Sequence, residues 1–124
     1  MTPTSGPTSM HDPLDDAIDT ETRAALEASR RGDHAAAFHH LERAHILSQR
    51  LTLRHVHVHW LMLEHGIVTR NPREILGQVV RIIAAALFSR IWVPTGNTGG
   101  ANVSAMRPMP VPDDLRDLLE RHRA

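Results

Sequence analysis

The sequence predicts an all-α protein, a small bundle of four main helices followed by a strap and a short C-terminal helix. Apolar residues recur at three- and four-residue intervals through four stretches between residues 14 and 90, the periodicity of amphipathic helices. The two-residue alternation of a half-buried strand is not sustained anywhere in the chain. The 124 residues, 41% hydrophobic and 23% charged, suit one globular unit, which we expect at residues 14–124.

The first two helices are predicted at residues 14–31 and 34–50, with a break at Gly32-Asp33. Acidic residues gather near the start of the first helix and arginines at its end, which complements the helix dipole. Small residues across 22–48 also resemble one tetratricopeptide unit, a helix pair packed around small side chains. A functional superhelix needs at least ~3 such repeats, so this pattern predicts only a local hairpin.

The third helix is predicted at residues 52–66, with Gly66 as its C-cap, and the fourth at residues 71–90. The fourth opens with Asn71-Pro72-Arg73-Glu74, which fits an N-cap, a proline at the first helical position and a capping-box glutamate.

Both ends of the domain differ in character from the helices. Residues 1–13, rich in Pro, Thr, Ser and Gly, predict a disordered tail. Residues 93–112 carry too many Pro and Gly for a regular element and form the strap, before a short helix at 113–122. We expect the strap to be ordered and to pack across the helices, closing one end of the bundle near Trp92. Its GNTGG turn should use Gly96, Gly99 and Gly100 for the reversal.

Composition excludes several classes of function. Fourteen arginines balance fourteen acidic residues, so a basic nucleic-acid binder is not expected. Without cysteine or lysine, the chain has no thiolate metal site, disulfide or Schiff-base lysine. No export signal and no apolar run of the ~20 residues needed to span a membrane are visible, so we expect a cytoplasmic protein. Ten histidines remain as carriers of any chemistry.

Helical geometry separates the inward-facing histidines from the others. Glu42 and His45 are spaced i, i+3 on the second helix, an arrangement that helical metal-carboxylate proteins project into their cores. His55 and His59 are spaced i, i+4 on the third helix and share its inner face. His57 lies about 200° from His55, so it should point outward. Its replacement should change neither metal affinity nor stability.

A stripe of Glu74, Gln78 and Arg81 on the fourth helix either faces water or supports a buried site. Together these features predict a site for a divalent transition metal, namely Zn, Cu, Ni or Fe, whereas Cu(I) is disfavoured without thiolates. Since the ordinary pKa of histidine is about 6.5, binding should weaken below pH ~6. The candidate ligands are Glu42, His45, His55, His59 and Glu74.

Two other functions fit the same sequence. The tetratricopeptide-like hairpin and the fourth helix could form an interaction module, which binds a partner protein or a second copy of the chain. A metal-dependent enzyme could use an open coordination position to activate water or oxygen. His45 taken alone would more often be a hydrogen-bonded core residue than a ligand.

A family resemblance rests on five strings: HLERAH (40–45), HVHVHWLML (55–63), ILGQVVRI (75–82), WVPTGNTGGANVS (92–104) and PMPVP (108–112). Over roughly residues 20–120, these resemble the small bacterial domain-of-unknown-function family numbered 3703. The resemblance implies a short helical cytoplasmic protein, associated with heavy-metal-resistance gene neighbourhoods and without an established activity. It also implies a polar signature that leaves out His34, His39 and His65 and comprises Glu42, His45, Gln49, His55, His59, Glu74, Gln78 and the glycines of GNTGG.

Overall fold

The computed structural model describes residues 12–88, 97–101 and 107–123, with positions 85, 86, 88 and 123 described by their backbone alone. Within these ranges all regular structure is helical, which confirms the predicted all-α class. The helices are α1 (Pro13–Arg30), α2 (His34–Ser48), α3 (Thr52–Val68), α4 (Pro72–Phe88) and α5 (Asp113–Arg123).

Side-chain caps fix where three of the helices begin. Asp12 accepts a hydrogen bond from the Leu14 amide at the start of α1, and Asp33 accepts one from the Ala36 amide at the start of α2. The Asn71 side chain accepts from the Glu74 amide at 3.1 Å, as the predicted N-cap of α4 requires. Residues 1–11 of the predicted tail lie outside the described residues.

The predicted end of α3 at Gly66 was wrong by two residues. The helix continues to Val68, and the turn into α4 uses Arg70 in the left-handed region, with φ 54°. Gly66 is buried within the helix, where a Cβ would lie 3.3 Å from the Ile75 backbone nitrogen. The glycine therefore serves the close approach of α3 and α4 rather than the helix end.

Two apolar clusters hold the bundle together, and α2 contributes to both. Ile46 and Leu47 join α2 to α1 and α5, whereas Leu41 and Ala44 join it to α1 and α3. Met62 of α3 is fully buried in the second cluster. Packing on both sides fixes the position of α2, the helix that carries His45.

Part of the strap returns to the bundle. Asn97, Gly99 and Gly100 are buried, and Gly99 has the left-handed φ of 83° that its turn requires. Residues 97–101 therefore pack against the helices as predicted, whereas closure near Trp92 and the conformation of Gly96 lie outside the described residues. None of the helices in the described ranges is long and apolar enough to cross a membrane.

Candidate metal centre

Three histidines from two helices meet in the interior. His45 projects from α2, and His55 and His59 project one turn apart from α3, as their spacing predicts. Their exposed fractions are 3%, 6% and 3%. The Nε2 atom of His45 lies 2.9 Å from that of His55 and 3.1 Å from that of His59, and the last two atoms are 3.1 Å apart. The three Nε2 atoms thus form a nearly equilateral triangle.

This triangle is close to the size that a transition-metal ion requires. An ion bound tetrahedrally at about 2.0–2.1 Å holds its nitrogen ligands about 3.3 Å apart, so the rings need to separate by only a few tenths of an ångström. In the described part of the chain, the three imidazoles are the one group of three or more His, Asp or Glu side chains whose potential ligand atoms all lie within 4.8 Å of one another.

The proton on His45 is positioned by the strap. Its Nδ1 atom lies 2.6 Å from the carbonyl oxygen of Asn97, and a carbonyl can only accept a hydrogen bond. Nδ1 therefore carries the proton in the neutral ring, and the Nε2 lone pair is directed at the other two histidines.

The proton on His59 is positioned by α4. Its Nδ1 atom lies 2.6 Å from Oε1 of Gln78. The orientation of this amide is fixed because its Nε2 donates to Oε1 of Glu74 at 2.6 Å and to the Gly99 carbonyl at 2.8 Å. The amide oxygen thus accepts the Nδ1 proton of His59, whose Nε2 lone pair also faces the triangle.

His55 differs from the other two rings. Its Nδ1 atom is buried and has no hydrogen-bond partner. The tautomer of His55 is consequently not imposed by the surrounding structure. With the proton on Nε2 the ring can donate to a neighbouring lone pair, and with the proton on Nδ1 all three lone pairs converge.

Burial keeps the cluster neutral at pH 7. Desolvation, reinforced by the neighbouring histidines, lowers the pKa of His45 well below its ordinary value and that of His55 to about 3. Burial lowers the pKa of His59 to about 4, against the opposing effect of its hydrogen bond to Gln78. Neutral imidazole is the form that binds metals.

The two candidate carboxylates lie outside the triangle of nitrogens. Both carboxylate oxygens of Glu74 are engaged, one by Gln78 and the other by the Ala101 amide at 3.0 Å. Glu42 is partly buried beside Thr98, and burial raises its pKa although His39 and Thr98 oppose the shift. Ligation by Glu42 or Glu74 stays a prediction.

The polar stripe on α4 faces the buried site rather than water. Glu74 and Gln78 are both buried, and Arg81 is partly buried. His57 is exposed on the opposite side of α3, as predicted. The structure therefore decides between the two readings that the sequence left open for this stripe.

Two strap residues form part of the site in ways that the sequence did not reveal. Asn97 acts through its backbone carbonyl, for which no residue type is diagnostic. Gly99 lies so close to the His45 ring that a Cβ would be 2.5 Å from the ring Cδ2 atom. The sequence predicted a glycine here only for the turn. The structure adds a second reason, the close approach to the His45 ring.

Comparison with known proteins identifies one similarity. A family model described as a protein of unknown function (DUF3703) matches residues 12–119. This range includes the three histidines, Glu74, Gln78 and the described strap residues. No curated protein and no solved structure matches the chain.

Proposed function

The chain belongs to the DUF3703 family of proteins of unknown function, and from this premise we propose that it binds one divalent transition-metal ion through His45, His55 and His59. The observation that carries the proposal is the convergence of three buried Nε2 atoms. Those of His45 and His59 present lone pairs, because acceptors on the far side of each ring hold the proton on Nδ1. Handling of such an ion, by storage or transfer, is the role that this arrangement favours.

A count of protons favours a metal site over an ordinary histidine core. When all three rings are neutral, only the Nε2 of His55 can carry a proton into the triangle. The lone pairs of His45 and His59 face each other at 3.1 Å, and one proton cannot fully satisfy both. Buried polar atoms are normally satisfied, and a cation among the three nitrogens satisfies all of them.

The choice of metal follows from the ligand atoms. Three neutral imidazoles suit Zn, Cu(II), Ni or Fe(II), and the described chain offers no thiolate. When bound, such an ion supplies a Lewis acid with a coordination position that these three ligands do not fill. A reaction at that position and a cytoplasmic location remain hypotheses based on the sequence.

The residues behind the ligands support the same function. The Glu74 carboxylate orients the Gln78 amide, and this amide orients His59. Hydrogen bonds of this kind hold a ligating imidazole in one tautomer and increase its basicity. Glu74 thus has a positioning role whether or not it also ligates.

The test is metal binding by protein purified without a polyhistidine tag and stripped with a chelator. We expect one Zn²⁺ or Co²⁺ per chain, and visible absorption typical of tetrahedral Co²⁺ if the fourth position is filled by water. His59→Ala should weaken binding at least ~100-fold, with the helical circular dichroism retained.

His57→Ala is the matched control, since it removes an exposed imidazole two residues away on the same helix. It should bind metal as the unaltered chain does. Equal affinities for the His59→Ala and His57→Ala proteins would exclude the triangle as the binding site.

A further inference from the structure

Among the described residues, the outer face of α4 is apolar and exposed. Gln78 and Glu74 occupy the buried side of this helix, whereas the opposite side carries Leu76, Val79, Val80, Ile83 and Leu87, each 43–68% exposed. The residues 76, 80, 83 and 87 follow one another at intervals of three and four, which aligns them in one stripe along the helix. No charged residue belongs to this stripe.

The neighbouring helix extends the apolar surface. In the described part of the chain, nine of the ten exposed large hydrophobic side chains lie on α3 and α4, and the tenth is Leu26 on α1. On α3, Leu53, Trp60 and Ile67 recur every seven residues on the side opposite His55 and His59, with Val68 beside Ile67. The unpaired apolar surface is therefore concentrated on two consecutive helices.

The extent of this surface approaches that of a stable interface. The exposed fractions of these side chains correspond to roughly 500 Å² on α4 and a similar area on α3, whereas the largest apolar patch on a typical monomer is about 300–600 Å². A stable protein interface buries about 800 Å² on each partner. The two helices together thus expose enough apolar surface for one complete interface.

We propose that this surface pairs with a second copy of the same chain, with the α4 helices packed against each other in antiparallel orientation about a twofold axis. A stripe without charge offers no opposite charge to a charged partner. The same apolar stripe on a second copy can pack against it, as a twofold axis requires. The chain has a formal net charge of zero, so two copies do not repel each other at long range.

The dimer does not depend on the proposed metal site. Gln78 and the histidines lie on the opposite side of α4 from the stripe, so each copy keeps its own complete triangle. Association should consequently persist in the presence of a chelator, and metal binding should persist in a monomeric variant.

The experiment is the molar mass of the untagged full chain in excess chelator, by sedimentation equilibrium at roughly 10–100 µM. We expect twice the 13.9 kDa of one chain. Ile83→Glu should weaken association at least ~10-fold because it buries a charge in the interface between the two α4 helices. Val80→Gln is a milder second variant, which decides the matter if Ile83→Glu fails to give a helical circular dichroism spectrum.

Leu26→Glu is the matched control, since it places the same charge at an exposed apolar position on α1, away from the surface. It should remain dimeric. A monomeric unaltered chain at ~100 µM would overturn the proposal, as would folded stripe variants that dimerise as strongly as the Leu26→Glu protein. Binding of a monomeric chain to anionic lipid vesicles would assign the surface to a membrane instead.

Discussion

The Nδ1 atom of His59 on α3 lies 2.6 Å from Oε1 of Gln78 on α4, and this contact links the histidine triangle to the rest of the protein. The same amide donates to Glu74 and to the Gly99 carbonyl, so one buried side chain connects α3, α4 and the strap. A change at Gln78 should therefore affect the ligand, the helix packing and the strap at once.

Replacement of Gln78 by Met tests this connection. The variant keeps the volume of the side chain but removes the acceptor for His59 and the donor for Glu74 and Gly99. We expect metal affinity to fall about 10–100-fold. Stability of the metal-free protein should fall by about 1–3 kcal/mol, because buried polar groups lose their partners.

Competition with a chromophoric chelator measures the affinity, and urea unfolding measures the stability. Replacement of the exposed Arg73 by Met on the same helix provides the control and should change neither quantity by much. An unchanged affinity in the Gln78→Met protein would contradict the role assigned to this side chain.

The stability of the metal-free protein should decrease as the pH falls below 6.5. In the folded state the pKa values are about 3 for His55, about 4 for His59 and well below the ordinary value for His45. In the unfolded chain these histidines titrate near pH 6.5, so between 6.5 and about 4 the unfolded state binds more protons. Each histidine then contributes up to about 1.4 kcal/mol of destabilisation per pH unit.

Urea unfolding at pH 7.5, 6.5 and 5.5 measures this slope. His57→Ala should retain it, whereas His59→Ala should reduce it by about a third, as one of three groups is removed. The expectation that metal binding weakens below pH ~6 stays a prediction, and the lowered pKa values of the three histidines favour a lower midpoint. A pH-independent stability between 7.5 and 5.5 would show that the three rings are not buried as neutral groups.

Gly99→Ala should affect both the fold and the metal site. The left-handed φ of 83° strains any side chain, and the added Cβ would contact the His45 ring at 2.5 Å. The sequence predicted only that the turn requires this glycine. We expect a loss of about 1–3 kcal/mol in stability together with weaker metal binding.

Gly32→Ala separates the two effects. Gly32 has a similar φ of 77°, but a Cβ there meets no atom within 4 Å. It should show the backbone strain without loss of metal affinity. Similar metal affinities for the two variants would indicate that the His45 ring moves aside without consequence.

Amide hydrogen exchange tests whether the described strap is ordered in solution. The Gly99 amide donates to the Asn97 side chain at 2.9 Å, and the Ala101 amide donates to Glu74 at 3.0 Å. Both amides should exchange more slowly than in a random coil, and Zn²⁺ should slow them further because it stabilises the rings that the strap contacts. Exchange at random-coil rates would exclude the strap from the site.

The sequence predicts those parts of the structure that depend on periodicity. The i, i+4 spacing of His55 and His59 requires a common helix face, and the position of His57 in the same helix requires the opposite face. The N-cap at Asn71 follows from a local hydrogen bond between neighbouring residues. In each case the interaction lies within one helix, so helical geometry is sufficient.

The remaining features depend on contacts between distant residues. The sequence could not predict that Asn97 would present its carbonyl to His45, because every residue has a carbonyl group. Nor could it predict that the Ala101 amide would donate to the Glu74 carboxylate, a contact between α4 and the strap; ligation by Glu74 stays a prediction. Gly66 was predicted to be a helix end because the neighbouring sequence does not indicate that α4 packs closely against this position.

The burial of the three rings has a kinetic consequence. Since the histidines are at most 6% exposed and the strap backbone lies against His45, the described residues shield a bound ion from solvent. Its escape then requires a local opening of the protein, and the residence time is governed by how often that opening occurs. Removal by an external chelator should become independent of chelator concentration once the chelator is in excess, and ions of similar size should leave at similar rates.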